Sequence, residues 1–184
     1  MLKFKKKEDK KIKTLIYGLD GTGKSTAAER YCKKKGLSPV VLDMDDTNHT
    51  ELPILDLKIT GPNMLVTAIS NIITDICQSK DFDTLIIDGV GSLTDLLIPN
   101  DAKGQQAWLN RSQNFNKLWK CMRKSDINVI FIGQKDLIVT EENESSKISE
   151  KINNMVDWKF ECKKKGNSFS NECTKWRGRK EEPI

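Results

Sequence analysis

Gly18-Leu19-Asp20-Gly21-Thr22-Gly23-Lys24-Ser25 follows directly on the apolar run Thr14-Leu15-Ile16-Tyr17 and opens a helix expected from Ser25 to about Lys35, closed by Gly36. The octet satisfies G-x-x-x-x-G-K-[ST] in the context that pattern requires, a strand before it and a helix after it. The spacing has a physical reason. Glycines let backbone N–H groups converge on phosphate oxygens, and the helix N-terminus adds its positive end. Lys24 reaches the β and γ oxygens, while the Ser25 hydroxyl can ligate Mg²⁺. Gly18, Asp20, Gly21, Thr22, Gly23, Lys24, Ser25 and Thr26 are therefore the expected nucleotide-binding residues. A glycine-rich turn of purely structural purpose has no need of Lys-Ser at this point.

Outward from the loop, short β-branched runs alternate with longer helical stretches, the rhythm of βαβ units. Val40-Val41-Leu42 reads as a second strand running into Asp43-Met44-Asp45-Asp46. After Gly61-Pro62, the residues Leu65, Ala68, Ile69, Ile72, Ile73 and Ile76 recur at helical spacing. Thr84-Leu85-Ile86-Ile87 is a third strand, apolar throughout as expected where both sheet faces are covered. A helix from about Gln105 to Lys124 turns Trp108, Phe115, Leu118, Trp119 and Met122 towards the core, and Val129-Ile130-Phe131-Ile132 is a fourth buried strand. Residues 136–150, with Glu141, Glu142 and Glu144, read as a polar loop. Trp158, Phe160 and Cys162 then alternate, Lys165-Gly166-Asn167 can turn, and Phe169 to Trp176 returns as an antiparallel partner. The expected fold is α/β, a mostly parallel central sheet flanked by helices with a C-terminal antiparallel hairpin. Residues 1–12 are a basic tail and residues 13–184 a single domain.

Composition narrows the function. The chain has 184 residues, 37% hydrophobic and 31% charged, which suits a globular domain and excludes a disordered one. No apolar run approaches the length needed to span a bilayer, and no apolar stretch follows the first lysines as in a signal peptide. A cytoplasmic protein without membrane partners is expected. The 5 cysteines are scattered, and with His49 as the single histidine a zinc site has almost no material. The net charge of +5 is uneven. Residues 1–13 carry +5, residues 159–180 carry +6 and Glu181 with Glu182 −2, leaving the body from 14 to 158 at −4. Basic ends point to a polyanion, nucleic acid first, because lysines on phosphates release counterions. A solvated, solubilising tail has the same composition.

Three further strand ends carry chemistry. Asp88 closes the third strand at its carboxyl end, where ligands bind in open α/β sheets, and with Ser25 it can hold Mg²⁺. Asp43, Asp45 and Asp46 follow the second strand, where a carboxylate can position and deprotonate an attacking water. Gln134 ends the fourth strand, where its amide can sense the γ-phosphate.

With Leu85-Ile86-Ile87-Asp88-Gly89-Val90-Gly91-Ser92-Leu93 and Val129-Ile130-Phe131-Ile132-Gly133-Gln134 in view, the chain resembles the RecA-like recombinase ATPases over roughly Thr14 to Pro183. It looks like their reduced, phage-type form, the small ATPases of single-strand annealing and recombination. The resemblance implies an Mg-dependent ATPase, single-stranded DNA as partner, a ring or filament of identical subunits, and a link to a single-strand DNA-binding protein. The family's catalytic carboxylate, usually Glu, maps best onto Asp45, and Gln134 links the γ-phosphate to the DNA-binding loops. Those loops correspond to about Leu97–Gly104 and Asp136–Lys151, with Lys103, Arg111, Lys147 and Lys151 as candidate DNA contacts and Trp108 as either a base-stacking or a core residue. Two basic residues shortly before a proline reach into the neighbour's ATP site in the filaments of this family. By position they fall on Arg177 and Arg179, which could instead touch DNA or solvent.

Two other classes are weighed beside it. The phosphate loop also looks much like that of thymidylate kinases, small-molecule kinases with an Asp-Arg pair and an arginine-bearing lid. Here no Asp-Arg dipeptide occurs and residues 136–150 contain no arginine. A non-catalytic nucleotide-dependent adaptor would not need the hydrolytic parts.

Overall fold

The phosphate loop sits between the first strand and the first helix of the chain. A computed structural model describes residues 11–47, 50–57, 59, 61–135, 152 and 155–176. In order, the elements are β1 (Lys13–Gly18), α1 (Lys24–Lys35), β2 (Pro39–Asp43), α2 (Pro62–Gln78), β3 (Thr84–Asp88), α3 (Val90–Asp95), α4 (Gly104–Lys124), β4 (Asn128–Gln134), β5 (Trp158–Lys165) and β6 (Ser168–Trp176). The strands form a sheet of order β2-β3-β4-β1-β5-β6. Every pairing is parallel except β5 with β6.

Why the central strands read as unbroken apolar runs is plain from the two cores. On one face, Leu15, Leu85, Ile87, Val129 and Phe131 pack against the apolar stripe of α2 and against Phe115, Leu118, Trp119 and Met122 of α4. On the other, Ile16, Ile86, Ile130, Ile132 and Phe160 pack against Ala27, Ala28, Tyr31 and Cys32 of α1. Alternate residues of one strand thus serve two cores, and neither set has reason to be polar. Trp119 ties its helix to the sheet, with its ring 5.4 Å from that of Phe131.

The register aligns the strands at their carboxyl ends. Asp43 lies opposite Asp88, and Gly18 lies opposite both Gln134 and Cys162. The chemistry-bearing residues therefore emerge along one edge.

Two sequence expectations change. The six-residue helix α3 was not anticipated, being too short to show a period. Trp108, expected inward on α4, is 61% exposed, whereas Arg111 is 8% exposed. The Arg111 guanidinium lies 4.9 Å from the centre of the Trp108 ring and 3.9 Å from Asp95 Oδ1. A long side chain of this kind packs its stem and flat head along apolar surface, so an arginine can take the inward position. Arg111, a candidate DNA contact from the sequence, is thus buried and engaged with Asp95 and Trp108.

Candidate nucleotide site

The loop from Gly18 to Lys24 is shaped by close approach. A Cβ built at Gly18 would stand 2.5 Å from the Cys162 carbonyl oxygen and 2.6 Å from Thr22 Oγ1. The Thr22 hydroxyl donates to the Leu19 carbonyl at 2.7 Å, closing the loop on itself. Gly23, the residue that caps α1, has φ 77°, a left-handed conformation that glycine adopts without penalty.

A cleft of about 510 Å³ opens beside this loop, within the usual range for small-molecule sites. Asp20, Gly21, Gly23, Lys24, Ser25 and Thr26 line one side, and Asp45, Asp88 and Gln134 line the rest. The Lys24 amine donates to the Leu19 carbonyl at 3.0 Å and to Gln134 Oε1 at 3.2 Å, and it lies 4.0 Å from Asp20 Oδ1. Gln134 Nε2 in turn donates to Asp20 Oδ1. The loop's lysine and carboxylate are thus joined to the end of β4, the strand between β1 and β3.

Ser25 Oγ donates to Asp88 Oδ2 at 2.7 Å. Burial pushes the Asp88 carboxyl above its ordinary value; the Ser25 hydrogen bond lowers it, Asp43 and Asp45 raise it further, and Lys24 lowers it. A carboxylate disfavoured by desolvation regains its charged form beside a cation. This pair offers only oxygens, the donor set of Mg²⁺, so the residues fit that ion.

Among the acids after β2 the structure separates two roles. Asp43 accepts from the backbone N–H of Asp45 at 3.1 Å and of Thr47 at 2.9 Å, so its carboxylate folds the turn. Asp45 instead faces the cleft, and its Oδ1 accepts the hydroxyl proton of Ser92 on α3. Gly89, at φ 91°, leaves the space into which the Asp45 carboxylate fits.

Ser92 and Gly89 were not assigned roles from sequence, although both lie in the segment after Asp88. The signal was their offset: α3 begins two residues beyond a strand-end aspartate, so its first turn borders the same edge. Lys103 is exposed immediately before α4. Arg177, Arg179, Lys147 and Lys151 lie outside the described residues, as does His49.

Phosphate loop, strand-end carboxylate and shared cleft on a mostly parallel sheet define a P-loop nucleotide-binding protein of RecA-like fold. The family model described as an AAA domain matches residues 10–176, and the chain belongs to that family. Among solved structures, it is similar to the RadB recombinase, at 16% identity and a TM-score of 0.57, over 92% of this chain and 83% of that one. A KaiC-like protein from Pyrococcus horikoshii is similar at 13% identity and a TM-score of 0.60, over 94% of this chain and 83% of that one. At such identities the likeness is one of fold. No curated protein matches the sequence. Among the described residues, no helix is long and apolar enough to cross a membrane.

Proposed function

We propose that the chain binds Mg·ATP and hydrolyses it while acting on single-stranded DNA, in recombination or strand annealing of the phage type, in the host cytoplasm. The observation that carries this reading is the convergence of Lys24, Gln134 and Asp45 on one cleft. Lys24 neutralises the terminal phosphates, and Ser25 with Asp88 holds the cation. A bound Mg²⁺ would offset charge on the phosphates as it builds. Asp45 orients the attacking water and accepts its proton, held in aim by Ser92. Gln134, hydrogen-bonded to Lys24 and Asp20, stands where a terminal phosphate would meet Lys24. Residues 136–151, one of the expected DNA-facing loops, begin two residues after it.

The DNA side rests on the basic ends of the sequence and on exposed Lys103. Assembly into a ring or filament with Arg177 and Arg179 acting across subunits belongs to the same reading. One of the similar structures is that of a recombinase, which supports the recombination reading.

The test is ATP turnover with and without single-stranded DNA, run beside phosphate transfer to dTMP. Turnover that rises with DNA is expected. Phosphorylated dTMP would move the chain to the small-molecule kinases.

A further inference from the structure

From Gly104 to Lys124, α4 carries no Asp or Glu, although it lies within a body of net charge −4. Phe115, Leu118, Trp119 and Met122 fix the side of the helix that faces the core. Leu109, Gln113, Lys117, Lys120 and Lys124 are exposed and recur every three or four residues, so they form one stripe along the opposite side, with Arg123 beside it. At 1.5 Å per residue the stripe runs for about 22 Å. Among the described residues, Lys117, Lys120, Arg123 and Lys124 make no ion pair. The fold gains little from this arrangement. Arg123 and Lys124 sit in the last turn, where cations answer the helix dipole, but Lys117 and Lys120 lie ahead of it and repel their neighbours at helical spacing. Uncompensated cations in a row along a helix are the footprint of a polyanion.

Taking single-stranded DNA as the partner proposed above, we infer that its phosphates run along this outer face of α4, on Lys117, Lys120 and Lys124. The loop that the resemblance offers instead, residues 136–151, carries Asp136, Glu141, Glu142, Glu144 and Glu150 against Lys147 and Lys151, the wrong balance for a phosphate backbone. The stripe also begins with what an unpaired strand uses besides charge. Trp108 and Leu109, both more than half exposed, stand at its start. The Arg111 guanidinium packs over the Trp108 ring and meets Asp95, so the ring is backed on one face and can take a base on the other. Bases stacked inside a duplex are not available to such a platform, which favours a single strand. Asp95 ends α3, whose first turn borders the nucleotide cleft, so this face of α4 adjoins the nucleotide site.

The test is equilibrium binding of fluorescent oligothymidylate to the full chain across a salt series, read by anisotropy. The triple variant Lys117→Gln, Lys120→Gln, Lys124→Gln should lower the slope of log affinity against log salt by about 2, and the affinity by about a hundredfold at ~0.1 M salt. Gln113→Lys, which adds one cation to the same stripe, should steepen the slope by about 0.7, a gain that a damaged fold does not imitate. Trp108→Ala should weaken binding by about tenfold and leave the slope as it is. Removing the same charge from α1, across the sheet, by Lys33→Gln, Lys34→Gln and Lys35→Gln should leave the slope unchanged. An equal fall there would make the effect one of net charge and overturn the inference. So would polyglutamate that displaces the strand as well as unlabelled oligothymidylate does, since the stripe would then be a face for an acidic protein. Parental affinity and slope in both the triple variant and Gln113→Lys also overturn it, and leave single-strand binding to other parts of the chain. A parental chain that binds no oligothymidylate even at low salt overturns the proposed partner and this inference together.

Discussion

Replacing Gly89 with alanine puts a carbon where the Asp45 carboxylate stands. The new Cβ would lie 2.6 Å from Asp45 Cγ and Oδ1 and 2.7 Å from Oδ2, well inside contact distance. The backbone there has φ 91°, and left-handed backbone costs an L-residue about 1–2 kcal/mol. For a chain of this length each kcal/mol lowers Tm by about 2–4 °C, so calorimetry should show a fall of roughly 2–8 °C. The steric conflict is relieved more cheaply. Asp45 is exposed, so its side chain can swing away and surrender the Ser92 hydrogen bond. Turnover should then fall by about a hundredfold or more, the usual worth of a positioned general base. ATP affinity should stay close to parental, because the phosphate loop is untouched. Ser92→Ala removes the hydrogen bond without adding bulk and should give a smaller loss of turnover with little change in Tm. The readouts are steady-state ATP hydrolysis at saturating nucleotide and scanning calorimetry. Parental turnover in Gly89→Ala, with the expected fall in Tm, would refute the idea that the aim of Asp45 matters.

Asp45→Asn should bind ATP and lose turnover; hydrolysis at the parental rate moves the base to Asp46, since Asp43 is engaged in its turn. Gly18→Ala should lower Tm by an amount worth about 1–3 kcal/mol, because its Cβ meets the backbone of Cys162, which is held in the sheet; an unchanged melting curve would show that β1 and β5 separate freely at this point. The Asp88 carboxyl is raised in the folded protein, so the folded state binds the extra proton and stability falls as pH rises from the ordinary value of 3.8 through the raised one. Asp88→Asn should accordingly melt higher than the parental chain near neutral pH without nucleotide, lose that advantage below about pH 3.8, and hydrolyse ATP poorly with Mg²⁺; a gain that persisted at the acid end would show that desolvation of this carboxylate is not its source. If Arg177 acts on a neighbour's site, Arg177→Ala and Lys24→Ala should each be inactive alone and recover part of the turnover when mixed; co-assembly without recovered turnover would reassign the arginines to DNA.

How far the site was legible depends on whether its geometry is local. The octet from Gly18 to Ser25 carries its own backbone conformation, so the loop and its place between strand and helix were readable without any partner. Asp88 was readable because a buried strand ending in an acid marks a position at the sheet edge. Asp45 could not be separated from Asp43 in sequence, since both follow the same strand. They were told apart only by which carboxylate accepts the turn's N–H groups and which accepts Ser92. Trp108 and Arg111 exchanged their expected places because α4 offers both an inward position, and the choice fell to whichever side chain could also meet Asp95 and cover apolar surface.

Sequence alone determined the strands, most of the helices, the phosphate loop and the acid that answers it. These depend on periodicity and on residues a few positions apart, where covalent geometry transmits the signal. Only the tertiary structure decided that β4 lies between β1 and β3, which sets Gln134 beside Lys24, and that the hairpin folds back to bring Phe169 and Asn171 against the phosphate loop. Lys24 and Gln134, like Gly23 and Phe169, are joined across more than a hundred residues of intervening chain. Their meeting rests on how whole faces of the sheet are buried, and no local pattern encodes it.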